Sequence, residues 1–330
     1  MKDALGRTID YLRISLTDRC NLRCRYCMPE EGVRSLPHES ILRIEEFARI
    51  IELLAPQGIK HIRLTGGEPL VRKGVKDLIW KASHTPGIES VALTTNATLL
   101  PAMARDLKEA GLSRINISLD TLDADQYHFI TRRGNLQDAL DGINAALEAN
   151  LQPVKINAVV IRNLEQDLLS FARMTLNAPL HVRFIEYMPV GACDECDWGM
   201  DNVVNSEEIL TSLDARARAA GLGGLSPAEN DAPEGWGPAR YYRLPNAQGT
   251  IGVISALSNH FCNSCNRLRL TADGKLKPCL FSDKEYDIRS ALREGTDEDV
   301  IAVFKAALNH KPDGHHHRVG TKRMMSQVGG

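Results

Sequence analysis

The sequence lacks an excess of charge of either sign, and it lacks any apolar run long enough to cross a membrane. Its 330 residues include 40 Lys and Arg against 42 Asp and Glu, which gives a net charge of -2. Such a balance argues against a general nucleic-acid binder or a membrane-surface protein, so we expect neither nucleic acid nor membrane among its partners. Local basic pockets remain compatible with it.

The N-terminal stretch also lacks the apolar segment that a secretory signal peptide needs. Charged side chains recur through it, namely Lys2, Asp3, Arg7, Asp10, Arg13, Asp18 and Arg19. We therefore expect a cytoplasmic protein. In a reducing compartment the eight cysteines are better explained as metal ligands than as four disulfides. With 43% hydrophobic and 25% charged residues, the chain has an ordinary globular composition.

Three cysteines lie close together near the N-terminus, without a fourth beside them. Cys20, Cys24 and Cys27 occur in C-N-L-R-C-R-Y-C-M-P, so one loop could turn all three thiolates toward one centre. A structural zinc needs four ligands, and a 4Fe-4S cluster is normally held by four thiolates. Three thiolates would leave one iron of a cluster open to a substrate. A zinc site completed by ligands elsewhere is the alternative interpretation.

Short β-branched runs alternate with amphipathic helical stretches from residue 10 to about 186. The runs predict six strands: Tyr11–Leu16, Lys60–Thr65, Val91–Thr95, Arg114–Leu119, Val154–Val160 and His181–Tyr187. Helices are predicted between them, among others at Ile44–Leu54, Pro101–Ala110 and Leu136–Ala149. Alternating units of this kind predict an α/β fold whose parallel strands curl into a whole or partial barrel.

The predicted strands end in polar residues, although buried parallel strands are usually apolar throughout. These ends are Thr65-Gly66-Gly67-Glu68-Pro69, Thr94-Thr95-Asn96, Ser118-Leu119-Asp120 and Glu186. Lys155 and Arg183 even lie inside their strands. Active sites of barrel enzymes are at the carboxyl ends of the strands, so we expect these residues to ring one cavity beside the cysteine loop.

The second part of the chain begins with a segment rich in Gly, Pro and Ala, from Gly221 to Gly237, which predicts a linker or surface loop. We divide the chain there into units 1–220 and 221–330. A hairpin of Arg240–Leu244 and Thr250–Ile254 is predicted to follow. The next stretch holds a second set of three thiols, Cys262, Cys265 and Cys279. It predicts either another open 4Fe-4S cluster or a zinc site that His260 completes.

Arg267 and Arg269 follow the second set, and alternation places both on one face of a strand. Two adjacent guanidinium groups repel each other unless an anion bridges them, and phosphate oxygens suit their geometry.

Three further features are weaker signals. The pair Cys193 and Cys196 lies among acidic residues, which favours a solvated loop. His315-His316-His317 are expected to be exposed. Gly329-Gly330 could be a frayed end, or could enter the cavity because it carries no side chains.

Together, the C-x3-C-x2-C-M-P loop, the Gly-Gly-Glu-Pro stretch, the second cysteine set with Arg-Leu-Arg, and the terminal glycines resemble one family closely. This is the GTP 3′,8-cyclase family of radical S-adenosylmethionine (SAM) enzymes, which acts in molybdenum cofactor biosynthesis. The resemblance extends from Tyr11 to Gly330. It implies a partial (β/α)6 TIM-type barrel with one 4Fe-4S cluster, and a C-terminal region whose second cluster touches guanine.

The resemblance also implies the reaction. Two 4Fe-4S clusters and SAM would be the cofactors, and a 5′-deoxyadenosyl radical from SAM would take the hydrogen from the 3′ carbon of GTP. The resulting carbon radical would attack carbon 8 of guanine and give 3′,8-cyclo-7,8-dihydroguanosine triphosphate. Implied partners are GTP, an external electron donor and the next pathway enzyme, cyclic pyranopterin monophosphate synthase, with the chain as a monomer or homodimer.

Carried over position by position, the resemblance assigns individual residues. Cys20, Cys24 and Cys27 would ligate the first cluster, and Cys262, Cys265 and Cys279 the second. SAM would meet Tyr26, Gly67, Ser118 and Met188. GTP would meet Arg13, Arg63, Thr94, Lys155, Arg267 and Arg269, and we add Arg183 because its buried charge needs an anion. The expected catalytic residues are Arg267, Arg269, Gly329 and Gly330.

Two other interpretations are open. A radical SAM peptide maturase also carries auxiliary clusters, but typically has more downstream cysteines than three. A non-catalytic iron-sulfur electron carrier would leave the Gly-Gly-Glu-Pro stretch and the arginines unexplained.

Overall fold

The computed structural model describes residues 1–34, 36–191, 198–228, 230, 232–235, 237–315 and 321–329. Cys193, Cys196, His316, His317 and Gly330 lie outside these described residues. None of the helices within the described ranges combines the length and the apolar character needed to cross a bilayer.

A single twelve-stranded sheet organises the described part of the chain. Its strands are β1 (Tyr11–Ser15), β2 (His61–Thr65), β3 (Ser90–Thr95), β4 (Arg114–Ser118), β5 (Val154–Val160), β6 (Leu180–Glu186), β7 (Ser226–Pro227), β8 (Arg240–Arg243), β9 (Thr250–Ile254), β10 (Arg267–Leu270), β11 (Lys275–Lys277) and β12 (Tyr286–Asp287). Their order across the sheet is β12-β11-β10-β1-β2-β3-β4-β5-β6-β9-β8-β7.

Ten α-helices accompany these strands in the described residues. They are α1 (Ile44–Leu54), α2 (Val75–His84), α3 (Ala104–Glu109), α4 (Ala124–Thr131), α5 (Leu136–Glu148), α6 (Leu168–Asn177), α7 (Ser206–Ala219), α8 (Ile288–Glu294), α9 (Asp297–Asn309) and α10 (Met325–Val328). The first six connect consecutive parallel strands, as expected for repeated strand-helix units.

The parallel part of the sheet is longer than the six predicted strands, because the C-terminal half adds one strand at each edge. β10 pairs parallel with β1, in the register Arg13 opposite Arg269, and β9 pairs parallel with β6. Antiparallel partners then flank both additions. The division at residue 220 stays a prediction, while the sheet itself runs across it.

Alternation along the strands separates an apolar outer face from a polar inner face. On β1, Leu12 and Ile14 are fully buried in the hydrophobic core, together with Phe47 of α1. The alternate residues of β1, Tyr11 and Arg13, line the interior cavity instead. The core therefore lies between sheet and helices, and the inner face is left for the site.

Most predicted boundaries agree with the structure to within one residue, but one helix start was wrong. The predicted helix Pro101–Ala110 begins as a 3-10 turn at Leu100–Ala102, and the α-helix starts only at Ala104. Met103 has φ -125°, which interrupts the helical backbone between them. Gly111 ends the segment with φ +99°, a conformation that glycine adopts readily.

We predict that Gly142→Ala destabilises the protein, although alanine is the better helix former by about 1 kcal/mol. A Cβ atom at Gly142 of α5 would lie 2.2 Å from the carbonyl oxygen of Ala97. Overpacking typically costs about 1 to 3 kcal/mol, so the steric term should prevail. The midpoint of thermal unfolding should fall.

The matched control is Gly199→Ala, where no atom lies within 4 Å of the added Cβ and φ is -99°. An unfolding midpoint of Gly142→Ala at or above that of the parent protein would contradict the close packing of α5 on Ala97.

Candidate active site

The first cysteine set lies in the loop after β1, and the end of α4 holds this loop. The amides of Arg23 and Arg25 donate to the carbonyls of Thr131 and Ile130, each at 3.0 Å. Arg132, just after α4, donates to the carbonyls of Arg23 (2.9 Å) and Met28 (3.1 Å). Cys20, Cys24 and Cys27 thereby line one cavity.

The thiols of this set influence one another. Burial, followed by the charges of Cys27, Asp120 and Cys20, raises the pKa of Cys24 well above its usual value. Burial is also the main reason why the pKa of Cys20 rises to about 11. None of the six described cysteines forms a disulfide. Ionising the three thiols together is unfavourable unless a cation offsets their charge, as a metal cluster would.

The Gly-Gly-Glu-Pro stretch packs directly on the backbone of the cysteine loop. Gly67 donates its amide to the carbonyl of Thr17 at 2.7 Å, and a Cβ on Gly67 would lie 2.3 Å from the carbonyl oxygen of Arg19. The glycine pair is therefore required by close approach of the two loops, whether or not a ligand is present.

Glu68 connects this stretch to the end of β3. Its carboxylate accepts from the amides of Leu70 (3.0 Å) and Asn96 (2.8 Å) and from the hydroxyl of Thr95 (2.8 Å). Burial raises the pKa of Glu68 to about 7. These three protein donors occupy most of the acceptor sites of Glu68, which also lines the cavity.

Tyr26 is positioned by Asp120, a residue without an assigned role in the sequence-based prediction. The Tyr26 hydroxyl donates to Asp120 at 2.6 Å, and Asp120 also accepts from the amide of Val159 at 2.9 Å. Burial raises the pKa of Asp120 to about 6. Ser118 and Met188 line the same end of the cavity.

The second cysteine set lies next to β10, and two cations hold its loops. Arg7 donates to the carbonyls of Cys262 (2.9 Å) and Pro312 (2.8 Å), and its charge is paired with Asp3 at 2.6 Å. Lys311 is buried and donates to Cys265 Sγ (3.3 Å) and to the carbonyls of Arg267 (2.8 Å) and Pro278 (2.9 Å). It thus joins both arms of the set.

Two histidines lie beside the second set. Ligand atoms of His260, Cys262 and His315 are all within 4.8 Å of one another. This is a possible zinc site, but its ligands differ from the three cysteines with His260 that the sequence predicted as the alternative. The expectation that His315 is exposed was wrong, because its ring packs between those of His260 (4.8 Å) and Phe281 (4.9 Å) and is buried.

Arginines form the wall between the two cysteine sets. Arg269, Arg13 and Arg63 are register partners across β10, β1 and β2, and Arg267 and Arg183 face the same cavity. Among the described residues none of these five pairs with a carboxylate. Burial, followed by the charge of Arg269, lowers the pKa of Arg13 well below its usual range, and burial lowers that of Arg269 to about 10.

Neutral oxygens take the place of carboxylates here. Arg63 donates to the Tyr11 hydroxyl, and Arg183 donates to Asn157 Oδ1 at 2.9 Å. Arg269 donates to the carbonyls of Val328 (3.2 Å) and Gly329 (2.5 Å), which brings the C-terminal segment to the cavity.

Lys155 does not line the cavity, although it lies in β5 among these arginines. Its ammonium group donates to the carbonyl of Glu234 at 2.5 Å. The segment around Glu234, predicted to be a linker or surface loop, is mostly exposed, and its carbonyls also solvate this buried amine. Glu234 also lies 3.7 Å from Arg114.

One cavity of about 330 Å³ joins these parts. The predicted site residues in its lining are Arg13, Cys20, Cys24, Tyr26, Cys27, Arg63, Gly67, Thr94, Ser118, Arg183, Met188, Cys262, Cys265, Arg267, Arg269 and Cys279. Lys155 and Gly329 are adjacent to it through their hydrogen-bond partners, and Gly330 is outside the described residues.

Sequence reasoning missed Asp120 as a partner of Tyr26 and Lys311 as a partner of Cys265. Asp120 was among the polar strand ends expected to ring the cavity, but nothing in the sequence linked it to Tyr26. Lys311 left no signal, since it stands 46 residues from Cys265 and belongs to no motif.

Two family models match the chain. Residues 14–174 match the radical SAM superfamily, and residues 180–317 match the family described as molybdenum cofactor synthesis C. Curated relatives agree over their whole length. The GTP 3′,8-cyclase of Pelotomaculum thermopropionicum is 52% identical, and that of Moorella thermoacetica is 50% identical, with 100% of each chain covered.

Solved structures show the same fold at low sequence identity. Native anSMEcpe with bound AdoMet has a TM-score of 0.60 at 15% identity, covering 94% of this chain and 83% of its own. Streptococcus suis SuiB bound to its precursor peptide SuiA has a TM-score of 0.60 at 14% identity, covering 89% of this chain and 64% of its own.

We predict that Cys265 is more reactive than Cys20 in metal-free protein. Burial acts to raise its pKa, but the charges of Lys311 and Arg267 outweigh burial and the pKa lies below its usual value. A larger thiolate fraction means faster alkylation. At pH 8, Cys265 should react with iodoacetamide on the order of tenfold or more faster than Cys20, measured by peptide mass spectrometry.

Lys311→Met should remove this advantage, whereas Lys311→Arg should keep it, and Cys20 provides the internal reference in each protein. Circular dichroism checks that the metal-free variants are folded. Equal rates for Cys265 and Cys20 in the folded parent protein would contradict the assigned role of Lys311.

Proposed function

Because this chain belongs to the GTP 3′,8-cyclase family of radical SAM enzymes, we propose that it converts GTP to 3′,8-cyclo-7,8-dihydroguanosine 5′-triphosphate. This is the first step of molybdenum cofactor biosynthesis. One observation carries the proposal: a single cavity joins two sets of three thiols through a wall of arginines that have no carboxylate partners among the described residues.

Two 4Fe-4S clusters fit the donor sets. Each set offers three soft thiolate ligands beside a cavity, and the mutual repulsion of the thiolates calls for a cation. Cys20, Cys24 and Cys27 would hold the first cluster, and Cys262, Cys265 and Cys279 the second. When bound, the clusters and SAM supply the radical chemistry that removes a hydrogen from the GTP ribose.

The residues assigned to SAM surround the first cysteine set. Tyr26 is held by Asp120, which fixes the ring beside the cysteines, and Gly67 keeps the neighbouring backbone close. Ser118 and Met188 complete the same part of the cavity. The contribution of these residues is orientation, since a bound reactant held in the correct geometry reacts as an intramolecular partner.

The residues assigned to GTP form the cationic wall. Arg13, Arg63, Arg183, Arg267 and Arg269, with Thr94, present donors that a triphosphate can bridge. Lys155 lies behind this wall and would join it if the carbonyl of Glu234 gave way to phosphate oxygens. The ribose then lies between the two cysteine sets, and the fixed cations restrict its motion.

Arg267, Arg269, Gly329 and Gly330 are assigned to the catalytic centre. Arg269 donates to the carbonyl of Gly329, so Gly329 approaches this arginine through its backbone alone. Gly329 has φ +75°, and a Cβ there would lie 2.7 Å from Thr65 Cγ2. A side chain at this position would therefore displace the segment from the cavity.

The proposal includes partners and location. An external electron donor reduces the protein, and cyclic pyranopterin monophosphate synthase takes over the product. A cytoplasmic location suits the six described cysteines, which are free thiols. The proposed assembly is a monomer or a homodimer. The proposed units of the chain are residues 1–220 and 221–330.

The first test asks whether SAM cleavage and GTP conversion separate. Arg267→Ala should reduce GTP conversion on the order of tenfold to a hundredfold, the equivalent of a charge-assisted contact of about 1.5 to 3 kcal/mol. It should spare SAM cleavage. Cys24→Ser should abolish SAM cleavage. Both are measured in anaerobically reconstituted protein with SAM and dithionite, by chromatography of GTP and 5′-deoxyadenosine.

The exposed Arg105→Ala serves as control and should behave like the parent protein. Metal analysis accompanies the assay, with about eight irons expected for two cubes. Four irons with one zinc would instead support the zinc site at His260, Cys262 and His315. No GTP consumption by the fully loaded parent protein would refute the function.

The second test concerns the charge of Lys155. Burial, followed by the charges of Arg183, Arg63 and Arg114, lowers its pKa to about 6, so the amine is mostly neutral at pH 7.5. A nearby polyanion favours the charged form and raises this pKa. GTP binding should therefore take up more protons in the parent protein than in Lys155→Met.

The measurement is calorimetry at pH 7.5 in two buffers of different ionisation enthalpy. Protons released by the nucleotide itself cancel in the comparison of the two proteins. Equal proton exchange by the parent protein and Lys155→Met would show that the triphosphate does not reach Lys155.

A further inference from the structure

Residues 321–329, here called the C-terminal strap, run from the β11–β12 edge of the sheet past the loop after β6 and return to β10. The strap starts at the β11–β12 edge, where the amide of Lys322 donates to Asp283 Oδ1 at 2.9 Å. It then passes the loop after β6, since a Cβ on Gly191 would lie 2.8 Å from Met324 Sδ. It ends at Arg269 of β10.

Arg323 makes the most extensive ion pair along the strap. Its guanidinium group donates to both oxygens of Asp273 (3.0 and 2.8 Å) and to both oxygens of Glu285 (2.6 and 2.8 Å). The side chains of Arg323, Asp273 and Glu285 are 18%, 16% and 22% exposed, so solvent screens them only partly. Two bidentate pairs on one arginine fix both its position and its orientation.

The acceptors of this ion pair are themselves held in place. Asp273 accepts from the Thr271 hydroxyl at 2.6 Å in the turn between β10 and β11. Glu285 also lies 3.3 Å from the ammonium group of Lys277, which is fully buried. Arg323 therefore connects the strap to the antiparallel extension of the very strand that carries Arg267 and Arg269.

Beyond Arg323 the strap makes few polar contacts with the rest of the described chain, although Ser326 and Val328 are buried. Met324 and Gln327 close a turn, with the Met324 amide donating to Gln327 Oε1 at 3.0 Å, and α10 is only four residues long. An isolated helix of that length is not stable in water. The polar contacts that end the strap are those of Arg269 with the carbonyls of Val328 and Gly329.

We infer that Arg323 is a positioning residue for the reaction: its double ion pair with Asp273 and Glu285 sets the point from which the strap reaches Arg269. The inference rests on the proposed function, since it concerns the approach of Gly329 to Arg269 in the same cavity. Arg323 does not itself line the cavity. It acts through the strap, and it also keeps Met325 in the cavity wall.

The test compares Arg323→Met, Arg323→Lys and the parent protein, all reconstituted with iron. Hydrogen-deuterium exchange of the peptides that cover residues 321–329 should rise on the order of tenfold or more in Arg323→Met. Arg323→Lys keeps the charge but cannot make two bidentate pairs, so it should fall between the other two. GTP conversion should fall with increasing exchange, while SAM cleavage without GTP and iron content stay at parent values.

Arg293→Met is the matched control. Arg293 also makes a bidentate pair, with Glu46 at 2.6 and 2.9 Å, but it anchors α8 to the start of α1 and does not contact the strap. Its loss should leave both strap exchange and GTP conversion unchanged.

The outcomes distinguish a failure of the proposed function from a failure of the role of Arg323. A parent protein that does not consume GTP refutes the proposed function, whatever Arg323 does. An active parent protein with unchanged strap exchange in Arg323→Met, or with raised exchange but full GTP conversion, refutes the role of Arg323 alone.

Discussion

Positive charge inside the barrel, with no carboxylate to neutralise it among the described residues, is the constraint on which the rest of the site depends. Burying a cation without a partner is costly, and four of these cations are bonded to neutral oxygens. The acceptors are the Tyr11 hydroxyl for Arg63, the Asn157 amide oxygen for Arg183, the carbonyl of Glu234 for Lys155, and the carbonyls of Val328 and Gly329 for Arg269. Among the described residues, Arg13 Nε and Arg267 Nε are buried without a hydrogen-bond partner. Neutral oxygens solvate a charge without cancelling it, and the cavity keeps its affinity for a polyanion.

The pairing of β1 with β10 decides where the two cysteine sets lie relative to each other. The first set follows β1, and the second precedes β10, which pairs with β1 rather than forming a sheet of its own. Because the pairing is parallel, the first set lies at the carboxyl end of β1 and the second at the amino end of β10, to which Cys279 returns after the antiparallel β11. The arginines of β1 and β10 lie between the two sets. A substrate that reached from one set to the other would therefore contact chain segments more than two hundred residues apart.

Local patterns predicted much of this architecture. The strand Val154–Val160 and the helix Ile44–Leu54 agree with the structure at both ends, because alternation and helical periodicity report burial directly. The polar strand ends and the two cysteine sets likewise identified the cavity. What could not be predicted depends on backbone atoms or on isolated residues. The carbonyl of Glu234 on Lys155 has no side-chain signature, and neither the pairing of β10 with β1 nor the contact of Lys311 with Cys265 follows from spacing.

The pairing of β1 with β10 also bears on how the chain is made. Asp10 and Asn266, which are joined by a hydrogen bond beside this pairing, are 256 residues apart. At typical rates of synthesis, roughly 5 to 20 residues per second, the outer edge of β1 waits on the order of ten to fifty seconds for its partner. An unpaired parallel edge invites association with other nascent chains. The order of synthesis thus leaves the edge of the strand that carries Arg13 unpaired until β10 has been made.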